Sequence, residues 1–137
     1  MARKPVKRQV VADLSGLELE IMDIVWDLGE CSSAEVIAAC RSKRPLADTT
    51  VRTVLSNIRK KGYLEPVPTI ERGFRLRPTV SREAVAARSL ERVIVRLFKN
   101  SRQDAIAYLI DNEEITDEVL ADIRRLIDKH KQKKQGS

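Results

Sequence analysis

Between Asp48 and Gly62 the chain reads DTTVRTVLSNIRKKG, and no other stretch restricts the fold as much. Val51, Val54, Leu55 and Ile58 recur at i, i+3, i+4 and i+7, so a helix here carries one apolar stripe that a core must cover. Asp48 stands where a short carboxylate caps the first turn, and Lys60 and Lys61 followed by Gly62 supply the stop. The opposite face carries Thr49, Thr53, Ser56 and Lys60, flanked by Arg52 and Asn57, with no carboxylate after Asp48. A helix that is merely solvated mixes Glu with Lys for pairing along the helix. A helix lying in a DNA major groove avoids acids and offers hydroxyls, amides and cations to base edges and phosphates. These residue types favour a DNA-reading helix over a surface helix that happens to be rich in Thr.

The charge distribution points the same way. The formal charge is +6 over 137 residues, yet the segment from Arg41 to Arg77 alone holds ten Lys or Arg against Asp48, Glu65 and Glu71, a local excess of +7. A polyanionic partner is implied. The 34% charged and 4% aromatic composition suits a helical protein with a Leu, Ile and Val core. A chain of this length can build such a core without metals or disulfides.

Upstream, residues 1–12 read as a flexible basic arm. Ser15 with Glu18 forms a capping box that opens a first helix, whose stripe is Leu17, Ile21, Ile24, Val25 and Leu28, with Trp26 beside it. Glu18, Glu20, Asp23 and Asp27 make its exposed side acidic, which turns that side away from DNA. Ser32 with Glu35 opens a second helix with Val36, Ile37 and Cys40 inward. Two short helices before a basic third one give the order of a helix-turn-helix. After Gly62 the period changes. Tyr63–Val67 and Phe74–Arg77 read as strands joined through Ile70–Gly73, with Gly73 suited to positive φ, and Arg75 and Arg77 share one face. A hairpin directly after a recognition helix is a wing, with its arginines placed along phosphates.

Pro78 closes this unit. Ser81 caps a helix running to about Asn100, a shorter helix follows Ser101, and Thr116 opens a last one, leaving 131–137 as a disordered tail. Leu90, Val93, Ile94 and Leu97, then Leu109, then Val119, Leu120, Ile123, Leu126 and Ile127 form apolar stripes too small for a core of their own. They are expected to meet a second copy.

Cys31 and Cys40 are too few and too widely spaced for a zinc site, and His130 is the only histidine. Both cysteines read as small helix-packing residues. With no phosphate-cradling glycine loop and no Ser/His/Asp or Cys/His constellation, the chain is not read as an enzyme and calls for no cofactor or metal. No apolar run approaches the length of a membrane span, so the expected location is the cytoplasm.

These residues resemble the penicillinase-repressor (BlaI/MecI) family of winged-helix regulators. The resemblance rests on Leu14-Ser15 with Glu18, on Ile21–Trp26, and above all on Thr50–Leu55 followed by Lys60–Leu64. It continues through Arg72–Pro78, Asn112–Ile115 and Ile123–Ile127, covering roughly 12–130. It implies a homodimeric repressor on a palindromic operator, with Arg52 and Thr53 reading bases and Thr50 on a phosphate. Asn57 departs from the arginine of well-studied members. In members controlling β-lactamase, a membrane-bound sensor metalloprotease leads to cleavage of an Asn-Phe bond in the C-terminal region. This chain has no Asn-Phe dipeptide, and Tyr108-Leu109 stands in the corresponding place. Copper-responsive relatives carry a cysteine-rich C-terminal motif, and here no cysteine follows Cys40.

The expected architecture is mainly α with a small β-hairpin wing. A winged helix-turn-helix spans 13–79 and a helical dimerisation region spans 80–130. The expected DNA contacts are Thr49, Thr50, Arg52, Thr53, Ser56, Asn57, Lys60, Arg72, Arg75 and Arg77. The expected partners are an operator duplex, a second copy of the chain and a sensor protease that relieves repression by cutting the C-terminal region. The competing reading is a basic helical adaptor that docks on an acidic protein.

Overall fold

The computed structural model describes residues 13–70, 74–112 and 114–136. The arm expected over 1–12 and the hairpin turn with Arg72 and Gly73 lie outside the described residues. The elements in order are α1 Gly16–Leu28, α2 Ser33–Lys43, α3 Asp48–Lys60, β1 Leu64–Pro68, β2 Phe74–Pro78, α4 Arg82–Leu97, α5 Arg102–Asp111 and α6 Asp117–Gln135. The chain divides into two compact units at Ala86–Ala87. The first extends past the expected boundary at residue 79 because Val80 and Val85 pack on its core.

Local chemistry sets the helix starts. Ser15 and Ser32 each accept from the N–H three residues on, at 3.2 and 3.1 Å, while Glu18 and Glu35 accept from the cap N–H at 2.8 and 2.9 Å. These reciprocal bonds satisfy donors that a helix start otherwise leaves unpaired. Asp48 does not cap α3. Ala47 is the N-cap and no side chain bonds there, because Asp48 is already helical and Arg41 Nη2 donates to both its carboxylate oxygens at 3.2 Å. α3 ends at Lys60 with Lys61 as its C-cap, and the chain turns away at Gly62, whose φ of +95° only glycine adopts without strain, with Tyr63 N–H closing on Ile58 O at 3.2 Å.

The core of this unit is made by α1, α2, α3 and the hairpin. Val51, Val54, Leu55 and Ile58 are buried as the period requires, against Ile21, Met22, Val25 and Val36. Leu28, expected in the α1 stripe, is exposed, and Met22 takes the inward position. β1 and β2 pair antiparallel, with Leu64 opposite Pro78 and Val67 opposite Arg75. Cys31, between α1 and α2, is buried in the core with the helices and also pairs its backbone with Leu76, donating at 2.9 Å and accepting at 2.6 Å. The hairpin is thereby bonded to the helix-turn-helix along β2.

In the second unit α4 stops where Lys99 and Asn100 take left-handed backbone angles, with Asn100 N–H donating to Ile94 O at 2.9 Å. The tail expected over 131–137 is corrected, since α6 runs through Gln135. Its first turn holds Asp117 and Glu118 and its last turn Lys133 and Lys134, which complements the helix dipole at both ends.

Glu18 departs most from the expected solvent-facing acid. It is 7% exposed, and Lys61 Nζ at the end of α3 donates to its Oε1 at 2.5 Å and to Asp13 O at 3.0 Å. Burial acts to raise the Glu18 pKa, but the Lys61 ammonium and the Ser15 N–H outweigh it and hold the carboxyl below its ordinary value. A folded pKa depressed in this way contributes stability that is complete above the ordinary glutamate range and is lost as pH falls through the folded value. Lys61→Met strands this carboxylate and is expected to cost about 1–3 kcal/mol at neutral pH. Urea denaturation of both proteins should show the gap narrowing in acid, and a gap independent of pH would assign the loss to Lys61 packing instead.

Candidate nucleic-acid interface

With its apolar stripe covered by α1 and α2, α3 offers one face to solvent. Thr49, Arg52, Thr53, Ser56, Asn57 and Lys60 are all exposed on it, and Thr50 is half-buried at its edge. Hydroxyl, amide, guanidinium and ammonium groups are thus held along one rigid helix, the donor and acceptor set that reads base edges and binds phosphates.

The electrostatics around this face are more selective than the sequence charge suggests. Six of the ten cations between Arg41 and Arg77 are already held by carboxylates. Arg41 pairs with Asp48 at 3.2 Å, Lys43 with Asp27 at 3.7 Å and Lys61 with Glu18 at 2.5 Å, while Arg44 pairs with Glu20. Arg75 reaches Glu30 at 3.4 Å and Glu35 at 3.2 Å, and Arg77 reaches Glu65 at 2.7 Å. Arg52 and Lys60 have no such carboxylate among the described residues. Between Arg41 and Arg77, among the described residues, Arg52 and Lys60 thus place positive charge that no carboxylate covers on the outer face of α3.

The wing differs from the expected open pair of phosphate-binding arginines. Arg75 and Arg77 do lie on one face, opposite Val67 and Glu65. Yet Arg75 also donates to Glu30 O at 3.0 Å, so it fastens β2 to the loop before α2 and to the α2 N-terminus. The Ser32 N–H and then this guanidinium hold the Glu35 carboxyl below its ordinary value. Sequence reasoning missed these pairs because Arg75 and Glu35 are 40 residues apart.

In the second unit, Leu90, Val93, Leu97, Leu109, Val119, Leu120, Leu126 and Ile127 are exposed, and Ile123 is half-buried. Ile94 is corrected. At 7% exposure it is buried within its own chain and has little surface left for a partner. Val95, Ile106, Tyr108 and Ile110, outside the expected set, are exposed as well. Tyr108 lies beside Phe98, with ring centroids 6.1 Å apart.

Among the described residues, no group of three or more His, Cys, Asp or Glu could hold a metal ion, and no helix is long and apolar enough to cross a membrane. A shallow groove of about 260 Å³ between α1 and α2 is lined by Ile21, Ile24 and Cys40 and rimmed by Glu20, Asp23, Lys43 and Arg44. Its charged rim groups already bond to one another or to Asp27 and Arg82, so few polar groups remain to orient a ligand there.

The chain is similar to known proteins. The family model described as penicillinase repressor matches residues 14–129. The uncharacterized 16.5 kDa protein in the ptsI 3′ region of Latilactobacillus sakei is 27% identical over 119 residues, 84% of this chain and 78% of that one. The methicillin resistance regulatory protein MecI of Mammaliicoccus sciuri is 19% identical over 117 residues, 85% of this chain and 94% of that one. The solved DNA-binding domain of the repressor BlaI aligns with a TM-score of 0.48 at 25% identity, covering 56% of this chain and 90% of that one. With the family model matching all but the ends of a chain that folds into a winged helix and three further helices, the protein belongs to the penicillinase repressor family.

Proposed function

We propose that the protein is a sequence-specific transcriptional repressor that binds a palindromic operator as a homodimer, with the outer face of α3 in the major groove. The observation that carries this reading is the contrast in charge pairing. Cations around the reader are neutralised by carboxylates, while Arg52 and Lys60 stand unpaired among the described residues beside Thr49, Thr53, Ser56 and Asn57. Membership of the penicillinase repressor family supports it. Arg52 and Thr53 are assigned to base edges, Thr50 and Lys60 to phosphates, and Arg75 to holding the wing. Arg72 and Arg77 complete the proposed phosphate contacts, Arg77 by exchanging Glu65 for a phosphate.

The second copy is assigned to the exposed stripes of α4, α5 and α6. Two half-sites about one helical turn apart are bound tightly only when the two readers are joined. Relief of repression by proteolysis belongs to the same reading, because a cut between reader and dimer ends that linkage without changing a base contact. The stretch from Pro78 to Ser81 is held by backbone and side-chain bonds at Thr79 and Val80. The other places proposed for a cut are near Asn100–Ser101 and around Asn112–Thr116, where helices restart.

Selection of bound sequences from a random duplex pool, followed by titration against selected and scrambled duplexes at several salt concentrations, tests the reading. Strong preference for one sequence and a steep salt dependence are expected. A basic adaptor for an acidic protein would show no sequence preference. Arg52→Ala should weaken the selected duplex by ~1–3 kcal/mol and leave the scrambled one nearly unchanged, since a bidentate guanidinium discriminates by about that amount. Arg75→Ala, which frees β2 from α2, should weaken both duplexes by the same factor. Equal losses with Arg52→Ala would remove it from the base contacts.

Leu126 tests the dimer. It is 65% exposed in its own chain, so Leu126→Asp leaves the single chain solvated but puts an unpaired charge in the proposed interface. Sedimentation should show monomer with helix content retained. A dimer that survives the change would place the contact elsewhere.

A further inference from the structure

α1, α2 and α3 each carry an acid in the first turn, and the three acids are used differently. Glu18 and Glu35 accept from the N–H groups of Ser15 and Ser32 and so serve their own helix starts. Asp48 stands exposed at the first position of α3, a helix that no side chain caps. Both oxygens of its carboxylate accept instead from Nη2 of Arg41, at 3.2 Å each. Arg41 lies in the last turn of α2, so the partner of this acid comes from the neighbouring helix.

The next cation along α3 is Arg52, one helical turn on from Asp48. Side chains at this spacing lie on one side of a helix with Cβ atoms about 5–6 Å apart, and an acid placed N-terminal to an arginine is the favourable order for an ion pair. Left to itself, α3 would close Asp48 onto Arg52. The structure has a different pairing. Arg52 is exposed and meets no carboxylate among the described residues, while Asp48 is occupied by Arg41. Arg52 is the side chain assigned above to base edges, and a carboxylate on its guanidinium would compete for the same N–H groups that a base edge needs. The Arg41 and Asp48 side chains are 64% and 53% exposed, so their pair adds little to folding. Its consequence lies in which groups α3 leaves open.

We propose that Arg41 is a positioning residue for DNA reading: by occupying the Asp48 carboxylate from α2, it keeps Asp48 off Arg52 and leaves the Arg52 guanidinium open to bases. The inference rests on the reading of α3 as the DNA-contacting helix. All three side chains belong to the first unit, on two helices that share one core. In a chain without the Arg41 charge, a share of the molecules holds Arg52 in the intrahelical pair, and the apparent affinity for the selected duplex falls with the fraction left competent. Charge alone does not predict this. An Arg41 that merely bound phosphate would act on every duplex alike, and independently of Asp48 and Arg52.

The experiment titrates the full chain against the selected and the scrambled duplex at one salt concentration and reads the ratio of the two affinities. Arg41→Gln, which removes the charge and keeps much of the side-chain length, should lower that ratio roughly threefold. Adding Asp48→Asn to Arg41→Gln should restore the wild-type ratio, because the competing carboxylate is gone. In a chain that carries Arg52→Ala, Arg41→Gln should leave the ratio where it stands, since the group it protects is absent. The Arg52 Nε–H resonance of the free protein gives a readout without DNA. It should move in Arg41→Gln and return when Asp48→Asn is added. Arg41→Ala, read in the same way, serves if Arg41→Gln loses helix content. A ratio that Arg41→Gln leaves unchanged overturns the proposal, as does a fallen ratio that Asp48→Asn does not restore. If Arg52→Ala alone leaves the ratio at its wild-type value, Arg52 reads no base and the underlying reading fails as well. If Arg52→Ala lowers the ratio and Arg41→Gln does not, the role of Arg41 alone is overturned.

Discussion

The Glu18 carboxylate begins α1 and, through Lys61, also holds the end of α3. One oxygen accepts from the Ser15 N–H at 2.8 Å and from Lys61 Nζ at 2.5 Å. A carboxylate this buried is tolerated only with such partners, because each unpaired polar group removed from water is costly. Lys61 in turn sits at the C-cap of α3, where the helix dipole favours a cation. The contact therefore joins the positive end of α1 to the negative end of α3 through two side chains that each suit their own helix. The polar face of α3 owes its fixed position to this strut and to the apolar stripe beneath it.

A second consequence of the acids is the shape of the electric field. Glu18, Glu20, Asp23 and Asp27 on α1, with Glu30 and Glu35 nearby, lie where they meet Lys61, Arg44, Arg82, Lys43 and Arg75. Each exposed pair contributes little stability. Together, among the described residues, they cover cations around α1 and α2, while Arg52 and Lys60 stay uncovered where α3 presents hydrogen-bonding groups as well. In the proposed reading, steering and readout would then coincide on one surface. Net charge alone would have spread the attraction over the whole first unit.

Much of this was legible in the sequence wherever the cause is local. The capping boxes at Ser15 and Ser32, the buried stripe of α3 and the change of period after Gly62 follow from spacings of a few residues, and the structure has them all. The failures share a different origin. Glu18 with Lys61, Arg75 with Glu35 and Cys31 with Leu76 join residues about forty apart, and a helical pattern shows only that an acid is near the outside, not which cation will cover it. Asp48 was misassigned as a cap because the helix begins one residue early and Arg41 claims its carboxylate. On α3 the apolar period identified the outward residues correctly, whereas in the wing strand alternation found the shared face of Arg75 and Arg77 but not their carboxylates.

The two units bury apolar surface very unequally. The first packs a continuous core from Ile21 to Leu76, whereas among the described residues beyond Ala87 only Ile94 and Ala105 are buried, and α6 buries none. Helices of ten to nineteen residues with so little covered surface are marginal in water by themselves. A second copy laid on the exposed stripes would supply the missing burial, at roughly 25 cal/mol for each Å² of apolar area removed from water. Folding and association of this half then become one concentration-dependent equilibrium, while the reader unit folds on its own core. On the proposed dimeric reading, a signal that acts on the helical half would release DNA without unfolding the proposed reading surface.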